Sequence, residues 1–136
     1  MLSKRKEILQ SGGVAALAGA YIQFIVVIAI LFLPIIPSYD SGSVRYMPLI
    51  FWFRPDTSLG SYLLTFIEFA LAILPGALAI SAIRRSKIGP LTLYCLLGGY
   101  TGLAVGYMNW VWGAYFCPGA LFMLLAAVLL MFAHFN

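Results

Sequence analysis

Four apolar segments run along this chain, and each is long enough for a helix to cross a hydrocarbon core, which takes about 20 residues. The first extends from about Gly12 to Leu33, where Pro34 and Pro37 end it. The second covers 58–83, the third 90–108 and the fourth 117–135. No charge falls between Ile88 and Ala133, a stretch too long for one straight span and right for two. Asn109, Gly113 and Pro118 mark the turn that divides it. The pattern predicts an all-α membrane protein: four transmembrane helices in a bundle, forming one domain over residues 1–136. One longer outer loop, residues 34–57, joins helices 1 and 2.

The spans carry faces of small residues. Gly98, Gly102 and Gly106 recur every four positions, which lets another helix approach closely. In the second span Ser61, Thr65, Glu68, Ala72, Gly76 and Ala79 follow at steps of three or four and share one face. Leu63, Phe66, Ile67, Leu74 and Leu78 lie opposite. Gly12, Ala16, Gly19 and Gln23 form a similar stripe in the first span. Pro75 predicts a kink, because it cannot bond to the carbonyl of Leu71.

Glu68 is the one charged residue inside any of these segments. A charge at bilayer mid-depth costs roughly 2.5–3.5 kcal/mol on insertion scales. Counting from span midpoints puts Gln23, Glu68, Tyr100 and Thr101 in one layer. An unpaired polar group in hydrocarbon is costly, so a Gln23–Glu68 hydrogen bond is expected, joined by Tyr100 or Thr101. The same cost predicts that Glu68 keeps its proton at neutral pH.

Composition agrees with the pattern. The 136 residues are 63% hydrophobic and 9% charged, against about 25% charged in soluble domains. The mean hydropathy is +1.01. The net charge of +4 does not point to nucleic acid, because the cations cluster as Lys4-Arg5-Lys6 and Arg84-Arg85-Lys87 beside spans. That is the positive-inside signal, with an anionic-lipid site as the alternative reading. The loop 34–57 holds Arg45 and Arg54, balanced by Asp40 and Asp56. Both termini are therefore expected in the cytoplasm, for a protein of a prokaryotic cell membrane. The basic start followed by an apolar run imitates a signal peptide. The run is about 22 residues, beyond the usual 7–15, so an uncleaved first helix is expected.

Aromatic residues gather at the outer end. The loop is turn-like over Pro34–Ser43, then apolar from Tyr46 to Phe53. That second half is expected to lie at the interface or fold over the helices, with a lid or docking surface as the alternative. Trp52, Trp110 and Trp112 read as interface aromatics, with a quinone-lining role as the alternative.

Little chemistry is on offer. Cys95 and Cys117 should lie near opposite faces as free thiols. A single histidine, His134, rules out bis-histidine haem ligation within the chain. No metal cluster, phosphate loop or nucleophile–base pair can be assembled. No catalytic residue, metal or cofactor is expected, nor is an enzyme. The expected partners are the lipid bilayer and other membrane subunits or a second copy.

The first functional reading is a structural or accessory subunit of a larger membrane complex. The alternative is a small proton-coupled transporter or channel using Glu68. The chain resembles small multidrug transporters in its span count and lone membrane acid. Their acid lies in the first span and their loops are shorter than residues 34–57. Claudin-like tetraspans share the topology, but their outer-loop signature of Trp with paired cysteines is missing.

Overall fold

A computed structural model describes residues 2–40, 42–52, 58–109 and 111–135; of residues 2, 4, 5, 38–40 and 52 it describes the backbone alone. The elements in order are α1 (Leu2–Ile8), α2 (Val14–Phe32), β1 (Ile36–Asp40), β2 (Ser43–Met47), α3 (Leu59–Arg84), α4 (Ile88–Met108) and α5 (Cys117–His134). Short 3-10 turns cover Leu49–Trp52 and Gly113–Phe116. Among the described residues four helices are long and apolar enough to cross a membrane, which fits a small integral membrane protein.

Helix α2 packs on α3, α3 on α4, α4 on α5 and α5 on α2, so the four close a ring. Its interior divides into two apolar clusters. Ala16, Ala79, Leu91, Cys95, Met123 and Leu130 belong to the cluster at the basic end, where Ile8 also packs. Ile30, Ile36, Leu49, Val105, Trp112 and Phe116 belong to the one at the loop end. Small residues bring the backbones together between them. A Cβ at Gly76 would lie 3.1 Å from Ala20 Cα. A Cβ at Gly98 would lie 2.5 Å from Met123 Sδ, one at Gly102 2.6 Å from Ala120 Cβ, and one at Gly106 2.7 Å from Cys117 Sγ. The glycine row of α4 thus receives residues 123, 120 and 117 of α5. Ala72 and Pro75 are buried on α3.

The loop departs from expectation. Its first half is not a run of turns but part of a β-hairpin, with Ile36 opposite Met47 and Asp40 opposite Ser43. The pairing ends at Asp40 opposite Ser43, which puts Gly42, a residue suited to tight hairpin turns, in the connection. Gly42 has φ +79°, a value that favours glycine. Ile36 and Leu49 are buried against the helix ends, while Val44 and Tyr46 face outward.

Two further turns matter. Gly12 has φ +144°, which breaks the helical path between α1 and α2 and lets Ile8 fold back onto the ring. Ser11 Oγ lies 2.8 Å from His134 Nε2, linking this kink to the last turn of α5. At the other turn, Ser86 N–H donates to the Ile83 carbonyl and Lys87 N–H to the Ala82 carbonyl, both at 3.0 Å. This pair of bonds ends α3 in a Schellman motif, with Ser86 at φ +56° where glycine is usual.

Candidate functional site

Glu68 is 3% exposed and is the first position of α3 to be buried; residues 58–64 before it are exposed on every side. Its Oε2 accepts from Asn109 Nδ2 at 3.5 Å, a long bond. Asn109 follows the last residue of α4, and its Oδ1 accepts from the backbone N–H groups of Val111 (3.1 Å) and Trp112 (3.4 Å). Those two donors fix the orientation of the amide, so its NH2 must face Glu68. The 21 residues of α4 are about 31 Å long, close to the thickness of a hydrocarbon core. Glu68 is level with the residue after α4, toward the loop end of the ring.

The expected Gln23–Glu68 pair is not made. Gln23 is fully buried, and its Nε2 donates to the Phe116 carbonyl at 2.9 Å. Gly102 and Gly119 make room for it: a Cβ at Gly102 would lie 3.0 Å from Gln23 Nε2, and one at Gly119 2.5 Å from Oε1. Gln23 Oε1 is buried without a hydrogen-bond partner among the described residues. The midpoint counting failed because the start of α3 stands clear of the other helices. That offset places Glu68 nearer the loop end than Gln23.

Tyr100 does not join this layer either, being 73% exposed on the outer face of α4. Thr101 has a different task. Its hydroxyl lies 2.7 Å from the Leu71 carbonyl and 2.8 Å from the Leu97 carbonyl. Leu71 is the carbonyl that Pro75 frees, so α4 supplies the donor that the proline removed from α3. One hydroxyl proton is shared between the two acceptors.

The aromatic residues also sort differently. Trp112 is 5% exposed, a core residue rather than an interface one. Its ring centroid lies 5.0 Å from Phe69 and 6.3 Å from Phe116, and the Phe69 and Phe116 centroids are 6.1 Å apart. Tilted and edge-on contacts at these distances are favourable. Tyr107 faces outward, and Tyr115 donates its hydroxyl to the Ile35 carbonyl at 3.1 Å. Trp110 and the side chain of Trp52 lie outside the described residues.

Comparison of the chain with protein-family models, curated proteins and solved structures finds no match. The site must be read from its own geometry. Asn109 is the residue that the sequence showed only as a turn marker. Its signal was an asparagine directly after an apolar span and before two N–H groups it could accept from, an Asx turn. Among the described residues no three His, Cys, Asp or Glu side chains gather as a metal site. Cys95 is buried, Cys117 is partly buried, and both are free thiols.

Proposed function

We propose that this protein is a structural or accessory subunit of a larger membrane complex, with both termini in the cytoplasm. The observation that carries the reading is the Glu68–Asn109 contact. The lone acid of the spans joins α3 to the residue that shapes the turn between α4 and α5. In that role it fastens the loop end of the ring. The carbonyl that Pro75 frees in α3 is likewise supported by Thr101.

The projecting start of α3 adds support. Leu59 and Phe66 are 73% and 72% exposed, and Leu63, Leu64 and Ile67 are exposed as well. The described residues leave this apolar helix end uncovered on all sides, a surface open to lipid or to a neighbouring subunit. The basic residues at the other end of the ring favour a cytoplasmic location for it.

The test is gentle extraction from native membranes followed by mass analysis of the purified assembly. Stoichiometric co-purification with other membrane subunits is expected, and it should persist in Glu68→Gln. A protein that purifies alone, and whose uptake of a hydrophobic cation is lost in Glu68→Gln, would instead establish the transporter reading. The unpartnered Gln23 Oε1 is the observation that favours that second reading.

A further inference from the structure

We infer that the seam between α3 and α4 holds an anionic phospholipid, with its phosphate on Arg85 and Lys87 and an acyl chain along the apolar groove above them. Two hollows form this seam. One, of about 330 Å³, is lined by Leu71, Leu74 and Leu78 of α3 and by Leu97 and Thr101 of α4. The other, of about 280 Å³, is lined by Leu78, Ser81, Arg85, Lys87, Pro90 and Tyr94. Leu78 lines both, so the two hollows adjoin at that residue.

The lining follows from helix periodicity. On α3 the positions 71, 74, 78, 81 and 85 succeed one another at steps of three and four, and on α4 so do 90, 94, 97 and 101. Each set is one stripe, and the two stripes face each other along the seam. The lining runs from Phe66 to Arg85, about 28 Å, somewhat longer than half of a 40–45 Å bilayer, so it has room for the depth one lipid occupies.

The chemistry changes along its length as it does along a phospholipid. The far part offers leucines, and its one polar group, Thr101, is engaged by carbonyls. The near part brings Arg85 and Lys87, both exposed, together with the hydroxyls of Ser81 and Tyr94. No ion pair engages Arg85 or Lys87 among the described residues, and no acidic residue occurs after Glu68. The Ile83 and Ala82 carbonyls at the end of α3 are taken by the Schellman bonds, which lessens their repulsion of an anion. A positive-inside signal needs only the cations; the groove that leads away from them is what a lipid adds.

The test uses the full chain, purified and reconstituted with equal amounts of phosphatidylglycerol and phosphatidylcholine. Retained lipid is then counted by native mass spectrometry. Preferential retention of phosphatidylglycerol, by roughly thirtyfold, is expected from two juxtamembrane cations. Arg85→Gln with Lys87→Gln should abolish the preference, whereas Arg85→Lys with Lys87→Arg should keep it and show that the fold survives changes there. Leu78→Trp, which fills the junction of the two hollows without altering charge, should reduce retention. Glycerol phosphate in solution should not displace the lipid. Equal retention of both lipids overturns the proposal, as does a preference unchanged in the double Gln variant. Retention that survives Leu78→Trp, or that yields to glycerol phosphate, also overturns it, because charge alone would then suffice.

Discussion

Glu68 and Asn109 form a pair in which only one member has freedom to change. The Asn109 NH2 is aimed at Glu68 by the two N–H groups on its oxygen, and it needs an acceptor there. Glu68→Gln supplies one, so its effect on thermal unfolding in detergent should stay within about 0.5 kcal/mol. Glu68→Leu leaves the NH2 facing hydrocarbon and should cost about 1–3 kcal/mol. If both variants melt alike, Asn109 does not depend on Glu68. Ser86 carries the opposite expectation. It holds a left-handed φ of +56° and a buried hydroxyl without a partner among the described residues. Ser86→Gly relieves both and should stabilise the protein by about 1 kcal/mol; a lower melting temperature would refute this. The inward face of Glu68 was legible from the spacing of small residues around it. Its partner was not, because depth was judged from segment midpoints, and residues 58–64 are exposed where the stripe implied burial of Ser61.

At the scale of elements, α4 is the organiser. Its glycine row takes in α5, and its Thr101 repairs α3. Thr101→Val keeps the shape but strands the Leu71 carbonyl, and should cost about 1 kcal/mol, within the range of interhelical hydrogen bonds in membranes. Gly102→Ala would put its methyl 2.6 Å from Ala120 Cβ and 3.0 Å from the Gln23 amide. The Ala120 methyl cannot swing away, so overpacking of about 1–3 kcal/mol is expected. Unchanged melting in either variant would mean that the helices slide freely past each other. These roles were partly readable: the every-fourth glycine pattern signalled close packing, and Pro75 signalled a free carbonyl. Neither signal named the neighbour. The hairpin was the larger omission. Its connecting glycine, Gly42, was present in the sequence, but the prolines and serines around it read as a string of turns.

For the whole molecule, the ring separates a basic end from a loop end. Orientation across the membrane is tested with cysteines at exposed positions, Val44→Cys on the hairpin and Gly89→Cys at the start of α4. In intact cells an impermeant maleimide should label Val44→Cys and spare Gly89→Cys until the membrane is opened. The reverse pattern would invert the assignment. Overall class was legible from segment lengths alone, since a chain this apolar has few ways to satisfy its backbone except by helices in lipid. The closing of the ring was not, because it depends on which small faces meet.

That closure has a consequence for biosynthesis. The inward face of α2 rests on α5, where Gly19 lies against Met123 and Gly12 against Leu130, and Ser11 meets His134. Every one of these contacts joins the start of the chain to residues made more than 100 positions later. The α3–α4 hairpin can settle while the ribosome is still at work. The first helix can meet α3 through Ala20 and Gly76 meanwhile, but its Gly19 and the Gln23 amide have no partner until the last helix emerges. A pause or truncation before Met123 would leave that face without its mate.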